Sequence, residues 1–527
     1  MAGPWFVDPE NGLTTNNGLT VETPWQLIPG QTGATAQTGY GVTTGDTINV
    51  KNGTTTTLRI VPPAQSLTYR GYGIAANVLS ITVPTNNPKS TRTIRVVRES
   101  GAHEGMWKID QGSINASAIG NSGSTINVTF EDVEIAGPSL LGTHNGIQIG
   151  TSASTGALTG FTIRRFLIRN INNRGMSMYG LNVLAEYGRI EYTDDDNISL
   201  WATTGSTSRN TSVDRLRYLE LVEPNLIEPG ATPGSNGDFV QTVQFEGNYN
   251  ASTIIEYVYG YKTNNTKNGL VVHCTAAAAR IAIDHVHMAG GGACSILMGH
   301  LAGSAVISNL YARDPTPTAL PFIRFDPGEA SAITYAMATN SSLTIRNVFI
   351  EGSIQGFYKA SYTPGAFSFD GLITIDGCTV GGATAGTFSL IELFTSGSQS
   401  TFAANFDIVV KNNASTIAGK VQVAMPTSTA NDARFVFANN SFSSGAYTIG
   451  ATSYADLAAF AAAHSHATVN IAPTDPLLTA DYKPTQSSPL VAAGTHLGYR
   501  RDIEGKQRQN PPCIGAYDAA PMRAPLA

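Results

Sequence analysis

One short pattern keeps returning in this sequence, and it constrains the fold more than any other feature. Apolar residues alternate along one strand, a polar residue breaks the run, and a second short apolar string follows. The pattern runs from Ile126 to Phe130 and on to Ile135, then from Phe161 to Ile168, Thr253 to Tyr259 and Ala279 to His287. It returns from Leu343 to Ile350, Leu372 to Val380, Phe406 to Lys411 and Arg434 to Phe442. Neighbouring copies lie about 25 to 38 residues apart. Alternation sends Ile, Val, Leu and Phe to one face and Thr, Asn, Arg and Asp to the other. A constant pattern at a variable distance fits a chain that coils on itself and takes insertions at a corner. The expected fold is therefore all-β, a single-stranded parallel β-helix of about a dozen coils stacked at roughly 4.8 Å. A β-sandwich would place Asn-Gly turns between matched strands. Asn52-Gly53, Asn145-Gly146 and Asn268-Gly269 do not do so.

Composition agrees. Charged residues make up 13 % of the chain, against about 25 % in an average domain. There are 54 glycines, which suits tight corners. With 42 % apolar residues in regular strings, disorder is excluded. The net charge of −6 comes with no basic stripe, so no nucleic-acid partner is expected. No run approaches about 20 apolar residues, so no membrane insertion is expected. The N-terminus lacks the basic and apolar regions of a secretory signal, which favours release on a virus particle over secretion. Cys274, Cys294, Cys378 and Cys513 form no C-x-x-C pair and read as buried free thiols.

The ends carry more specific motifs. Trp5 to Pro9, Asn17 to Trp25 and Gly45 to Gly53 resemble the opening of pectate-lyase-like right-handed parallel β-helix proteins, where a "GD-T-I-x-V-x-x-G" step begins the first coil. Asp475-Pro476, Ser488 to Gly494, Asp502 to Gly505 and Ile514 to Asp518 resemble the terminal segment of the same superfamily. The resemblance implies a right-handed coil and three segments: a capping segment over 1–45, the β-helix over 46–450, and a capping helix with an extended tail over 451–527. The pattern from Ser453 to His464 predicts that helix, with Ser453 as its N-cap. Within the superfamily the chain is most similar to bacteriophage tailspikes and other virion appendages. That similarity implies a homotrimer, contacts with other virion proteins, and bacterial surface polysaccharide as the ligand, bound and in some relatives cleaved. A non-catalytic structural or decoration protein of the particle, and a bacterial polysaccharide lyase, are the alternatives.

Candidate site residues cluster between 186 and 287. Glycoside hydrolysis needs two carboxylates about 5–9.5 Å apart, and a lyase needs a base with a group that neutralises a uronate. Asp238, Glu246 and Asp194 are the candidate catalytic acids; Asp238, Gln244 and Glu246 share strand parity. Gln241, Gln244, Tyr192, Trp201, His273 and His285 are the candidate substrate-binding residues. Asp194 and Asp196 are candidate ligands for Ca²⁺, the one cofactor considered, because hard oxygen donors suit that ion; a solvated acidic corner is the competing reading. Strand parity predicts that His285 and His287 share a face and that Asp284 points the other way. No nucleophile elbow, P-loop or dinucleotide fingerprint is present.

Overall fold

The computed structural model describes residues 3–96, 104–121, 127–139, 142–150, 160–179, 182–201, 213–226, 237–243, 251–263, 269–290, 296–313, 322–325, 335–352, 356–359, 368–382, 390–392, 401–418, 421–425, 433–443, 445–468, 470, 477–495 and 498–519. It divides into two compact units, Met1–Val83 with Arg92–Val271 and Pro84–Thr91 with Val272–Ala527. Both are built of parallel coils, and the fold is a right-handed parallel β-helix.

The first unit opens on strand Pro4–Val7, which pairs in parallel with Thr47–Lys51. The Gly45-Asp46 step explains the join. Asp46 is buried, and its Oδ2 accepts from the Trp5 indole (2.8 Å) and the Thr43 N–H (2.8 Å). Trp5 stacks on Trp25 at 4.6 Å, and Trp25 on Tyr40 at 5.6 Å. Gly18, at φ 68°, lets the chain cross the Trp25 ring, which a Cβ would meet at 2.6 Å.

Each later coil of this unit follows one plan. A long strand bends at a left-handed residue, turns, and continues as a short strand. Strands Asn127–Ala136, Gly160–Ile171, Asn182–Thr193, Val213–Pro224 and Ser252–Tyr261 stack in parallel register. Their bends fall in one column: Asp132, Arg165, Tyr187, Tyr218 and Tyr257, all at φ between 52° and 60°. A left-handed residue reverses the inside-outside alternation, which is why apolar strings on either side of the bend both face inward. Tyr187, Tyr218 and Tyr257 stack at 4.9 and 5.0 Å. The strands Ser80–Pro84 and Thr91–Arg95 form a two-stranded sheet, and the Leu79, Ile81, Val83 cluster packs on Leu167, Tyr187 and Tyr218. Inside the bend, Val133, Phe166, Gly188, Leu219 and Val258 share one row. Phe166 fills the slot that Gly188 leaves; a Cβ there would lie 2.2 Å from the ring.

The second unit repeats the plan with a different bend. Ile283, Ile307, Ile345, Ile375, Val410 and Phe437 form an inward row. The left-handed column is now His285, Asn309, Asn347, Gly377, Asn412 and Asn439. The residue after the bend explains the repeated Asn-Asn pairs. Asn413 Oδ1 accepts from the Cys378 N–H (3.0 Å), Asn440 Oδ1 from the Asn413 N–H (3.1 Å), and Asn470 Oδ1 from the Asn440 N–H (3.0 Å). Each buried amide thus satisfies the backbone one coil away, as buried polar groups must be.

The helix is shorter than expected, Leu457–Ala463, and its cap differs. Asp456 accepts from the Ala459 N–H at 2.8 Å, while Ser453 lies in strand Thr452–Tyr454. Its buried Phe460 stacks on Tyr447 at 5.1 Å and so covers the last coil. The tail then runs back along the asparagine column. Asn439 donates to Ala493 O (3.0 Å), Asn412 to Thr495 O (2.7 Å) and Asn347 to Arg501 O (2.6 Å). Buried Arg508 anchors it, donating to Asn347 Oδ1 (2.5 Å) and to the Gly515 and Ala516 carbonyls (both 3.1 Å), with Asp518 at 3.5 Å. The resembling tail motifs, with Ile503 and Tyr517 against Tyr311 and Phe349, are therefore packing motifs of this flank. Cys274, Cys378 and Cys513 are buried with free thiols; Cys294 lies outside the described residues.

Candidate functional site

The short strands of the first unit build the most chemically varied face. Ile147–Ile149, Met176–Tyr179, Ile198–Trp201 and Val240–Val243 stack in register. Ile147, Met176, Ile198 and Val240 point into the core; Gln148, Ser177, Ser199 and Gln241 have the opposite parity, the two serines buried and the two glutamines half-buried. Two residues further on, Tyr179 and Trp201 are neighbours in the same outward parity. In the turn before these strands, Asn145, Arg174, Asp196 and Asp238 occupy equivalent places. The Gly146 N–H donates to Arg174 O (2.9 Å), Gly175 to Asp196 O (3.1 Å) and Asn197 to Asp238 O (3.0 Å). One face therefore carries a charged row, a hydroxyl and amide row, and an aromatic pair, with neighbours in each row about 4.8 Å apart.

Arg174 ties these rows together. Its guanidinium pairs with Asp195, reaches Asp196 Oδ2 through Nε at 3.5 Å, and lies 5.0 Å above the Trp201 ring. Tyr179 stacks on Trp201 at 5.3 Å, with 11° between the planes. Asp196 is fully buried; its Oδ1 accepts from the Asp238 N–H (2.9 Å) and its Oδ2 from the Ser199 hydroxyl (2.6 Å). Burial, then the neighbouring Asp195, push the Asp196 carboxyl up to about 6, against the opposing pull of Arg174 and Ser199. Burial also raises the Tyr179 phenol. The face thus offers a stacked aromatic edge, a fixed cation and amide donors, the groups that recognise a sugar ring and its hydroxyls.

The sequence-predicted residues divide accordingly. Asp238, Gln241, Trp201 and Asp196 come together here, Gln241 half-buried and Trp201 buried in the stack. Asp194 does not join them. Its N–H closes the turn onto Ile171 O (2.9 Å), and burial and Asp195 raise its carboxyl. Tyr192 sits at another left-handed position, φ 55°, in a column with Asn170 and Glu223, and burial raises its phenol. His273 and His285 belong to the second unit. His273 is buried 6.4 Å from the His300 ring, and burial drives it down to about 3. His285 occupies the left-handed bend, φ 51°. The bend overturns the parity expectation there, because it brings His285 Nδ1 within 2.8 Å of Asp284 Oδ2. Gln244 and Glu246 lie outside the described residues. Among the described residues no group of three or more His, Cys, Asp or Glu is placed to hold a metal ion. Sequence reasoning missed Arg174. Arg174 and Asp196 occupy the same place in successive coils, and the irregular coil lengths hide that alignment in the sequence.

No family model matches the chain, and no curated protein matches it. Solved structures similar to it include pectate lyase Pel9A, at 13 % identity over 98 % of this chain and 96 % of that one, with a TM-score of 0.33. A tailspike protein, gp49 from Acinetobacter baumannii bacteriophage Fri1, a capsular polysaccharide depolymerase, aligns at 9 % identity over 69 % of this chain and 57 % of that one, with a TM-score of 0.30. Tailspike gp61 of Pseudomonas phage phi297 aligns at 9 % identity over 69 % and 74 %, with a TM-score of 0.27. The fold stands on the strand register of this chain itself: it is a right-handed parallel β-helix. No helix among the described residues is long and apolar enough to cross a membrane.

Proposed function

We propose that this chain is a tailspike-like appendage of a phage particle that binds bacterial surface polysaccharide along the face holding Arg174, Tyr179, Trp201 and Gln241. One observation carries the reading: the Tyr179–Trp201 stack lies in the same outward parity as the half-buried Gln148 and Gln241 amides, with Arg174 fixed above the indole. The arrangement suits an extended glycan, since successive coils repeat each row at roughly 4.8 Å. The test is binding to a panel of capsular and O-antigen polysaccharides, comparing wild type with Tyr179→Ala. The half-buried Tyr179 can be truncated without opening the core, so loss of binding with unchanged thermal stability supports the reading. Equal binding by both proteins, or none across a broad panel, removes it and leaves the structural role on the particle.

Cleavage is a second reading, favoured by Asp196. Burial raises its carboxyl to about 6, and Asp238 takes the equivalent place one coil on; both are buried, so cleavage requires the turn to expose them to the glycan. New reducing ends would identify hydrolysis, and ultraviolet-absorbing unsaturated ends a lyase. Intact polysaccharide recovered after saturation binding would eliminate both.

A further inference from the structure

Strands Ser80–Pro84 and Thr91–Arg95 are joined by a turn, residues 85–90, that belongs to the second unit. The turn is tied by its own hydrogen bonds. The Thr85 N–H donates to Ser90 O (2.9 Å), the Ser90 N–H to Asn87 O (2.9 Å) and the Lys89 N–H to Asn87 Oδ1 (3.0 Å). Its shape therefore does not depend on what the Lys89 side chain meets. That side chain reaches an aromatic seat. The ammonium lies 5.3 Å from the centre of the Phe349 ring and 6.0 Å from that of Tyr311, within cation–π range. These two rings stack at 5.4 Å, and Tyr482 and Tyr517 pack against Phe349 at 5.5 and 5.3 Å. Asp481 stands at the rim, its carboxylate 3.6 Å from Lys89 Nζ and its side chain 66 % exposed.

The ammonium does not suit this seat well. Lys89 Nζ is buried, yet among the described residues it has no hydrogen-bond partner. A lysine has three N–H donors to satisfy, and buried donors are ordinarily paired. A quaternary ammonium carries the same charge with no N–H at all, and its methyl groups pack directly on ring faces. We propose that the seat formed by Tyr311, Phe349 and Asp481 is a binding site for a small quaternary ammonium compound, and that Lys89 is an internal competitor that closes it. The site uses none of the residues of the Arg174 face, so it does not depend on the function proposed above. A ligand enters only when the turn lifts, so its apparent affinity in wild type is reduced by the fraction of chains in which the seat is open.

The experiment titrates the full chain with tetramethylammonium, with tert-butyl alcohol as a neutral ligand of similar shape and sodium chloride at matched ionic strength as the blank. Lys89→Ala should bind tetramethylammonium at least about tenfold more tightly than wild type does, because the competitor is gone. It should also prefer tetramethylammonium to tert-butyl alcohol at least about tenfold, since the rings and Asp481 select for charge. Adding Asp481→Asn, at an exposed position, should weaken that binding several-fold. A second measurement needs no variant and so holds even if K89A does not fold. Hydrogen exchange in wild type should show residues 84–91 losing protection in excess tetramethylammonium and keeping it in sodium chloride. Equal affinity of K89A and wild type, equal affinity for the cation and the alcohol, or unchanged exchange at 84–91 overturns the proposal.

Discussion

Replacing Asp196 with Asn should remove a pH dependence from the stability of the first unit. Asp196 is fully buried, and its carboxyl titrates near 6 in place of 3.8. The cause is desolvation first and Asp195 second; Arg174 and the hydrogen bonds from Ser199 and Asp238 only partly oppose it. Because the folded state holds the proton more tightly, this carboxyl is least costly below pH 3.8. As the pH rises towards 6 the unfolded chain ionises first and stability falls; above that both states are ionised and the loss is constant. A gap of about two pH units, at roughly 1.36 kcal/mol each and partly spent by pH 4, corresponds to about 2 kcal/mol between pH 4 and pH 7. D196N keeps the shape and an acceptor for the Asp238 N–H, and leaves Arg174 paired with Asp195. Its stability should therefore fall about 2 kcal/mol less than that of wild type over this range. The assay is urea unfolding from pH 4 to 8 followed by tryptophan fluorescence. All four tryptophans, Trp5, Trp25, Trp107 and Trp201, lie in the first unit, so the signal reports that unit alone. Parallel pH profiles for the two proteins would show that Asp196 is not the buried acid described here.

Two further substitutions test the packing. Gly188→Ala places a methyl group into the Phe166 ring and should destabilise the first unit by about 1–3 kcal/mol; an unchanged unfolding midpoint in the fluorescence assay would mean that the row has room to spare. Arg508→Met leaves the buried Asp518 carboxylate without its cation and takes the donor from the Asn347 amide and Gly515 carbonyl oxygens, and should cost about 3–5 kcal/mol in the second unit. Limited proteolysis should then cut within 477–519 while tryptophan fluorescence stays native. Wild-type protection of the tail would argue against Arg508 as its anchor.

Much of this molecule is legible in its sequence. Alternating apolar strings imposed an inward face on every strand, because a pleated chain leaves no other way to bury Ile, Val and Phe. The Gly45-Asp46 step marked where the first coil begins. Four of the expected site positions, Asp196, Trp201, Asp238 and Gln241, do converge in one stack of coils.

Tertiary structure decided the rest. Coil lengths vary, so no count along the chain could place Arg174 opposite Asp196, or reveal that Glu131, Arg164, Glu186 and Arg217 form one ion-paired row. The left-handed bend at His285 inverted the parity that strand alternation assigns, and set His285 against Asp284. Sequence determines which residues are buried, because hydrophobic period is local. Which charges meet depends on register between coils, and only the folded backbone sets that.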